Sequence, residues 1–317
     1  MTITSKVLDR SAKIYVAGHL GMVGSALVRR LEADGYDNII VRTRVELDLM
    51  DQARTAAFFE EQRFDYVFLA AALTGGIHAN QTYRADFIYR NLMIEANVIH
   101  AAYSTGVKNL LFLGSSCIYP RDSAQPIHEE SLLTGPLEQT NEPYAIAKIA
   151  GVKLCESYNR QYGTNYLCAM PTNLYGPNDN YDLQTGHVLP ALIRKAHEAK
   201  VRGDNQMTVW GSGQPMREFM YVDDLADACV YLMENDVSEG LINIGTGTDV
   251  SISELAHTVM EIVGFDGKVV FDASKPDGTP RKLLSVERLS ALGWQAETSL
   301  RDGIGMAYAD YLKSLDR

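Results

Sequence analysis

The stretch KIYVAGHLGMVGSALVRRL, residues 13–31, decides the fold of this chain. A short apolar run leads into three glycines, Gly18, Gly21 and Gly24, and an amphipathic run follows them. Without Cβ atoms these positions permit a tight turn, close approach of the backbone to a pyrophosphate and close packing of helix on strand. The N-terminus of the following helix favours negative charge. The pattern predicts a dinucleotide-binding unit; the alternative is a tight turn that binds nothing.

Downstream of this turn, short apolar runs alternate with longer amphipathic ones. The runs NIIVR, DYVFLAA and KNLLFLG are typical of strands, and helices are predicted over residues 22–34, 52–62 and 87–104. The strands are almost continuously apolar, as burial on both faces of a parallel sheet requires. We therefore predict an α/β fold, a Rossmann-type doubly wound parallel sheet with a smaller C-terminal substrate-binding lobe.

The second half of the chain has a looser pattern. A helix over residues 144–162 and a strand YLCAM precede the turn-rich stretch PTNLYGPNDNYD. Two stretches rich in Gly and Pro, WGSGQPMRE and ASKPDGTPRK, read as loops on either side of a strand LINIGTG. We expect an NADP-binding Rossmann domain over residues 11–175, with later segments at about 219–250 returning to it. Residues 176–317 should mainly form the substrate-binding lobe.

Composition limits the classes of partner that the protein can bind and the cellular compartment in which it is expected. The chain has 317 residues and a formal net charge of -11, which argues against nucleic acid or an anionic membrane as a partner. Residues 1–10 are polar, and no apolar run approaches the roughly 20 residues that span a bilayer. The four cysteines lack CxxC or zinc spacing, so we expect free thiols, no metal site and a cytoplasmic location.

The coenzyme type is indicated by the segment VRTRVEL. Sites for NAD usually place an acid at the end of the second strand, about 20 residues after the glycines. Arg42 and Arg44 stand there instead. Guanidinium groups suit a 2′-phosphate, so the sequence favours NADP(H).

Two further motifs carry the chemistry. Tyr144 and Lys148 stand four residues apart on one predicted helical face, where an ammonium would lower the pKa of the tyrosine from about 10. The strand LLFLG ends in Ser115, Ser116 and Cys117. By themselves these three residues are consistent with packing, with a nucleophile or with proton transfer.

The glycine turn, Ser115, Tyr144 and Lys148 together resemble the extended short-chain dehydrogenase/reductase family, which acts on nucleotide sugars. The resemblance covers nearly the whole chain. It implies that Tyr144 is the acid/base at the reacting oxygen, that Lys148 holds the nicotinamide ribose and assists Tyr144, and that Ser115 orients the substrate oxygen.

Longer stretches in order, including RTRVELDL, LGSSCIYP and DASKPDGTPRKLL, resemble members that act on GDP-4-keto-6-deoxy-D-mannose. The implied activity is 3,5-epimerisation followed by NADPH-dependent 4-reduction, with Cys117 removing protons and His187 returning them from the opposite face. Another nucleotide-sugar epimerase or reductase is one alternative. A dinucleotide-sensing binding protein without catalysis is another.

The resemblance also implies which side chains bind the two ligands. The GDP-sugar substrate would contact Lys195, Trp210, Arg217 and Asp277. NADP(H) would contact Gly18, His19, Leu20, Gly21, Met22, Val23, Gly24, Arg42, Arg44, Asp48, Leu49, Leu113, Gly114, Ser115, Ser116, Lys148, Pro171, Thr172, Asn173, Leu174 and His187.

Two positions differ from the pattern of the family, and the resemblance also implies an oligomeric state. Leu20 and Lys195 stand where members of the family often carry arginine, which bears on binding of the 2′-phosphate and of the diphosphate. A homodimer is expected, with the helices over residues 87–104 and 144–162 from two copies forming a four-helix contact.

Overall fold

Six parallel strands form the main sheet of the computed structural model, which describes residues 9–235, 237–238, 240–275 and 277–315. Most of the N-terminal segment 1–10, predicted to lack the core of a signal peptide, lies outside the described residues. The strand order β2-β1-β3-β4-β5-β9 confirms the predicted doubly wound sheet. The strands are β1 (Ile14–Ala17), β2 (Ile39–Ile40), β3 (Tyr66–Leu69), β4 (Asn109–Leu113), β5 (Asn165–Pro171) and β9 (Leu241–Ile244).

The side of the sheet to which the next strand is added changes at β1. The chain passes from β1 to β2 on one side, and then crosses to β3 on the other side of β1. At such a point the connections leave in opposite directions and a crevice opens at the carboxyl ends of the strands. Gly18 follows β1 there, and an added Cβ on Gly18 would lie 2.9 Å from the backbone of Ala71.

Helices cover both faces of the main sheet, as its almost fully buried strands require. One face packs against three helices that include the long pair α4 and α5, and the other packs against α1 and α7. The helices of this region are α1 (Met22–Ala33), α2 (Gln52–Gln62), α3 (Ile77–Thr82), α4 (Arg84–Ser104), α5 (Glu142–Tyr162), α7 (Val222–Glu234) and α9 (Glu287–Ala291).

A smaller region holds the two remaining sheets and a third core. In it, α6 (Val188–Arg202), α8 (Ile252–Val263) and α10 (Leu300–Leu315) pack together. Strand β8 (Met216–Tyr221) pairs with β6 (Asn173–Tyr175), β10 (Asp249–Ser251) and β12 (Arg281–Lys282). Strands β7 (Gln206–Trp210) and β11 (Lys268–Asp272) form a separate parallel pair.

Three predicted loops contain short strands instead. The stretch PTNLYGPNDNYD includes β6, and the two Gly- and Pro-rich stretches include the start of β8 and all of β12. Strands β6 and β12 both pair with β8, so their hydrogen bonds come from residues distant in sequence. Local composition contains no sign of that pairing.

Glu218 on β8 ties the smaller region to the main sheet. Its side chain is fully buried, and its two carboxylate oxygens accept hydrogen bonds from the backbone of Thr246 (2.7 Å), Gly247 (2.8 Å) and Leu284 (3.1 Å). Its own carbonyl accepts a 2.8 Å hydrogen bond from Asn173. Because buried N–H groups need acceptors, one carboxylate holds two chain segments against β8, one at residues 246–247 and one at Leu284.

None of the helices in the described part of the chain combines the length and the apolar character needed to cross a membrane.

Candidate active site

The glycine turn between β1 and α1 is a backbone cradle. Gly18 has φ +88°, in the left-handed region that favours glycine. A Cβ on Gly24 would lie 2.1 Å from the carbonyl oxygen of Gly18, so the first turn of α1 sits directly on the loop. Gly21 caps α1 without a side-chain hydrogen bond, which leaves the first N–H groups of the helix available to an anion. Such a cradle fits the diphosphate of a dinucleotide.

The other residues predicted in this turn have different surroundings. The Leu20 side chain is 70% exposed, while Met22 and Val23 pack partly against the core of the main sheet. Nδ1 of His19 is buried, and it has no hydrogen-bond partner within the described part of the chain. The turn therefore offers backbone groups and one imidazole to a ligand, and no positive charge.

The loop after β2 supplies two positively charged side chains, Arg42 and Arg44. Arg42 lies with its guanidinium 5.2 Å from the centre of the Phe58 ring and donates a 2.7 Å hydrogen bond to the Val41 carbonyl. Arg44 is exposed and forms a 3.5 Å ion pair with Asp48. Both arginines follow β2 at the edge of the sheet where the glycine turn follows β1.

Leu49, which follows Asp48, has its side chain in the core. Its carbonyl accepts a 2.9 Å hydrogen bond from Asn97, and Asn97 also donates to the Met50 carbonyl at 3.1 Å. Leu49 therefore anchors this loop to α4 and places the two arginines.

The end of β4 brings a serine and a thiol together. The hydroxyl of Ser115 donates to Sγ of Cys117 at 3.1 Å, and the side-chain amide of Asn141 donates to the same sulfur at 3.2 Å. The backbone N–H of Cys117 donates to the Ser115 hydroxyl at 3.3 Å, while Ser116 is buried. The sulfur of Cys117 therefore accepts two hydrogen bonds at the end of β4.

Tyr144 and Lys148 lie on one face of α5, as predicted, but their electrostatics differ from the prediction. Nζ of Lys148 lies 5.9 Å from the centre of the Tyr144 ring, donates to the Leu113 carbonyl at 2.9 Å and forms a 3.0 Å ion pair with Glu95. Burial raises the pKa of Tyr144, Cys117 and Glu95 add to that effect, and the Ser115 hydroxyl opposes it. The expected lowering of this pKa by Lys148 is wrong for this structure, because burial of the phenol raises it.

The remaining predicted coenzyme contacts line the same edge of the sheet. A Cβ on Gly114 would lie 2.3 Å from the sulfur of Met170, so the β4 end and the β5 end touch. Beyond β5, Thr172 and Asn173 donate to the Glu218 carbonyl at 3.3 and 2.8 Å. Four of the predicted residues occupy these strand ends and their continuations: Leu113, Pro171 and Thr172, which are buried, and Leu174, which is partly buried.

His187 is the N-cap residue of α6, and the segment before it touches the loop after β3. The backbone N–H of Gly76 donates to the Thr185 carbonyl at 3.0 Å. Solvent reaches the His187 ring, but the surrounding protein lowers its pKa and the positive charge of Lys282 lowers it further. The imidazole is therefore held mainly in its neutral form at neutral pH.

The four predicted substrate residues form one group. Nζ of Lys195 lies 5.3 Å from the centre of the Trp210 ring, which is 57% exposed. Asp277 accepts hydrogen bonds from the backbone N–H (2.6 Å) and hydroxyl (2.8 Å) of Ser212, and these bonds lower its pKa. Burial lowers the pKa of Arg217, and the charge of nearby Asp277 opposes that shift. The group presents an aromatic face beside two cations.

Several residues at these sites escaped the sequence analysis. Glu95 pairs with Lys148, Asn141 binds Cys117, Lys282 faces His187, and Nζ of Lys275 lies 5.4 Å from the centre of the Trp210 ring. The one available signal was an acidic residue inside the apolar helical stretch NLMIEANVI, since a buried carboxylate needs a partner.

The chain was compared with known proteins. A model of the NAD dependent epimerase/dehydratase family matches residues 14–245. GDP-L-fucose synthase 1 of Arabidopsis thaliana is 57% identical over 311 residues, which cover 98% of this chain and 96% of the plant protein. GDP-L-fucose synthase of Escherichia coli strain K12 is 56% identical over 314 residues, which cover 96% and 98% of the two chains.

The chain belongs to the NAD dependent epimerase/dehydratase family. This membership confirms the resemblance found in the sequence. A solved structure in the comparison, a GDP-L-fucose synthetase from Naegleria fowleri bound to NADP, superposes with a TM-score of 0.91 at 30% identity. The superposition covers 98% of this chain and 95% of the Naegleria chain. Epimerase/dehydratase members are NAD dependent by description, which agrees with the backbone cradle seen here.

A first prediction concerns the cradle of this epimerase/dehydratase. Gly24→Ala places a Cβ against the Gly18 carbonyl, so the turn must shift, and affinity for a nicotinamide coenzyme should fall about tenfold or more. Coenzyme binding is measured by fluorescence titration with NADPH and NADH. Gly305→Ala is the matched control, because a Cβ there meets no atom within 4 Å. Equal affinity of both variants would contradict the assignment of this turn to the coenzyme.

A second prediction concerns His187. Lys282→Gln removes the positive charge that disfavours the imidazolium, so the pKa of His187 should rise toward its ordinary value. The protonated fraction then persists to higher pH than in the unaltered protein. Proton NMR of the histidine ring measures this titration, with His187→Ala identifying the resonance and Lys268→Gln as a remote control. A His187 titration at the same pH in both lysine variants would show that Lys282 does not act on it.

Proposed function

We propose that this chain is a GDP-L-fucose synthase, which converts GDP-4-keto-6-deoxy-D-mannose into GDP-L-fucose by 3,5-epimerisation and NADPH-dependent 4-reduction. The observation that carries the proposal is a thiol hydrogen-bonded by Ser115 and Asn141 in the same site as Tyr144 and Lys148. Reduction of a ketone requires only the Ser, Tyr and Lys, so the thiol indicates a further proton-transfer step. Relatives that are 57% and 56% identical over nearly the whole chain carry the name of this activity.

In the epimerisation, Cys117 acts as the base. A C4 ketone acidifies the hydrogens on C3 and C5, and the thiolate removes each in turn as the ketone becomes an enolate. Ser115 and Asn141 hold the sulfur in place by hydrogen bonds of 3.1 and 3.2 Å. Ser115 and Tyr144 hydrogen-bond the C4 oxygen as its negative charge develops. Before each step His187 takes a proton from water, and it returns that proton to the carbon from the opposite face, which inverts the configuration. Cys117 releases each proton that it has removed to water.

In the reduction, Tyr144 is the proton donor. When bound, NADPH would supply a hydride to C4. The phenol of Tyr144 gives its proton to the C4 oxygen, and water then reprotonates the phenolate. The raised pKa of Tyr144 keeps the side chain in the phenol form that this step needs. Lys148 holds the nicotinamide ribose, and Ser115 keeps the ketone oxygen oriented.

The proposed coenzyme is NADP(H). The backbone cradle of the glycine turn would hold its diphosphate, and Arg42 and Arg44 would meet the 2′-phosphate. Arg44 is exposed and held by a single 3.5 Å ion pair, so it can exchange Asp48 for a phosphate at small cost. Leu20 supplies no charge here, and the two arginines carry the preference for NADP(H) over NAD(H).

The proposed binding site for the GDP moiety is the group around Trp210. Its exposed ring offers a stacking face for guanine, with an ammonium from Lys195 nearby. Arg217 and Lys195 would bind the diphosphate, and Asp277 would accept hydrogen bonds from the nucleoside. Asp277 must then share its oxygens with Ser212, which now donates to both of them.

The function is tested by incubating the protein with GDP-4-keto-6-deoxy-D-mannose and either NADPH or NADH. We expect GDP-L-fucose, identified by NMR, with coenzyme oxidation favouring NADPH. Reduction to another GDP-sugar without inversion at C3 and C5 would identify a simple 4-reductase instead. Absence of both turnover and coenzyme oxidation would favour a dinucleotide-sensing protein.

A third prediction isolates the base. Cys117→Ser replaces the thiol with a far weaker acid, so deuterium incorporation from solvent at C3 and C5 should fall by about a hundredfold or more. Coenzyme affinity should stay unchanged, because Cys117 lies outside the cradle. Cys168→Ala removes a thiol buried in the core of the main sheet, and it should keep the exchange. Normal exchange in Cys117→Ser would remove Cys117 from the mechanism.

We also propose that two copies form a homodimer through α4 and α5. These helices carry exposed apolar and aromatic side chains, among them Tyr89 (59% exposed), Ile146 (41%) and Tyr162 (46%). The ring of Tyr103 on α4 and the ring of Tyr162 on α5 stack with their centres 4.1 Å apart. A second copy of the same two helices would cover such a face in a four-helix contact.

A fourth prediction tests this contact by sedimentation. The unaltered protein should sediment as a dimer, and Ile146→Glu combined with Tyr162→Glu should sediment as a monomer, because the charges would be buried unpaired. Val45→Glu places the same charge on a side chain that is 92% exposed away from α4 and α5. A monomeric unaltered protein, or a dimer that survives the paired charges, would exclude this interface.

A further inference from the structure

Asn141 stands at the start of α5 and does not cap that helix. An asparagine in this position usually accepts a hydrogen bond through its side-chain oxygen from a backbone N–H of the first helical turn. Within the described residues the side chain of Asn141 makes no such bond, and its backbone, with φ -125° and ψ 14°, lies outside the extended region that cap residues usually occupy. Capping of α5 therefore does not account for an asparagine here.

The side chain of Asn141 is directed to the thiol instead. Its Nδ2 donates to Sγ of Cys117 at 3.2 Å. Its Oδ1 is buried and has no hydrogen-bond partner among the residues that the structure describes. A buried acceptor without a partner destabilises the folded state, and natural proteins carry such exceptions chiefly at functional sites. The hydrogen bond to the sulfur is therefore what this amide provides in the structure.

Asn141 links the thiol to the helix that carries Tyr144. The two residues lie three positions apart at the start of α5, so the helix fixes their separation. On its other side the sulfur accepts a 3.1 Å hydrogen bond from the Ser115 hydroxyl, which also faces the phenol of Tyr144. The ring of Tyr144 packs edge-on against Phe87, with the ring centres 6.2 Å apart. Cys117 is therefore held from two sides at a set position relative to the phenol.

The proposed reaction needs this fixed arrangement because its two halves use neighbouring carbons of one sugar ring. Cys117 acts at C3 and C5, and Tyr144 gives its proton to the oxygen on C4. Reduction of C4 removes the ketone that acidifies the hydrogens on C3 and C5, so inversion at those carbons must come first. A thiol displaced from C3 and C5 would slow inversion and leave Tyr144 able to complete the reduction. The position of the sulfur thus decides which product is formed.

We propose that Asn141 is a positioning residue that holds Cys117 against C3 and C5 of the sugar, so that inversion at both carbons precedes reduction. The inference rests on the proposed function and deepens it, because Asn141 sets the share of substrate that is inverted before it is reduced. Ser115, the other donor to the sulfur, also orients the C4 oxygen, so its hydroxyl is divided between the two halves of the reaction. The amide of Asn141 serves the sulfur.

The first test is the composition of the product. The protein is incubated with GDP-4-keto-6-deoxy-D-mannose and NADPH, and the products are identified by NMR. In Asn141→Ala the share of GDP-6-deoxyhexose that is reduced at C4 without inversion at C3, at C5 or at both should rise about tenfold or more. Loss of a merely structural contact would slow inversion and reduction together and leave the product ratio unchanged. An unchanged ratio would overturn the proposal.

Two further variants accompany Asn141→Ala. Asn141→Asp keeps the shape of the side chain, but its ionised carboxylate cannot donate to the sulfur, so it should give the same early reduction. An acidic side chain is favourable at a helix N-terminus, so this variant serves if the alanine variant does not fold. Glu142→Gln alters the next side chain, which pairs with Arg84 at 3.5 Å, and it should leave the product ratio unchanged. An equal change in Glu142→Gln would assign the effect to the helix start and overturn the role of Asn141.

The second test asks whether Asn141 acts through Cys117. Deuterium incorporation from solvent at C3 and C5 is measured with NADP⁺ in place of NADPH, so that no reduction follows. Asn141→Ala should slow this incorporation about tenfold or more. In a Cys117→Ala background the same change should slow the residual incorporation by about twofold or less, because the sulfur that Asn141 holds is already gone. Full additivity of the two losses would contradict the proposal.

The unaltered protein separates failure of this inference from failure of the proposed function. If it forms no GDP-L-fucose and incorporates no deuterium at C3 and C5, the proposed function is rejected, and the role of Asn141 with it. If it forms GDP-L-fucose and Asn141→Ala does so in the same product ratio, the role of Asn141 alone is rejected.

Discussion

A buried lysine sets the constraint on which the rest of the site depends. The ammonium of Lys148 cannot lie in the core uncompensated, and removing one partner of such a pair costs about 3–5 kcal/mol. The compensating carboxylate of Glu95 requires α4 and α5 to pack closely, and Gly151 makes that approach possible. The same ammonium binds the Leu113 carbonyl, which fixes α5 against the end of β4. This contact sets the positions of Tyr144 on α5 and of Ser115 after β4.

The parallel sheet supplies the second constraint. All six of its strands run in the same direction, so the loops that follow their carboxyl ends lie along one edge. The glycine turn after β1, the arginines after β2 and the serine and thiol after β4 are separated by many residues in the chain. They meet because each follows a strand of the same sheet. Glu218 then ties the smaller region to this edge by accepting backbone hydrogen bonds from two segments, one near Thr246 and one at Leu284.

Prediction from the sequence succeeded where the signal is local. The helix over Gln52–Gln62 was predicted with the bounds observed, because Asp51 caps it and the amphipathic run is uninterrupted. The short strands β6 and β12 were missed, since their stability comes from pairing with β8. In the site, the positions of Tyr144 and Lys148 on one face followed from helical spacing. The pKa direction of Tyr144 did not, because it comes mainly from burial of the phenol, and Cys117 and Glu95, which add to it, belong to other segments of the chain.

The sequence by itself determined the fold class, the glycine cradle and the identity of the groups that can transfer protons. Those features depend on backbone freedom, periodicity and side-chain chemistry, which are properties of short segments. The tertiary structure decided which charges face one another: Glu95 beside Lys148, Lys282 beside His187, and Asn141 on Cys117. Electrostatic effects depend on distance and burial, and packing of distant segments sets both. The charged and polar neighbours of Lys148, His187 and Cys117 could therefore be assigned only from the folded structure.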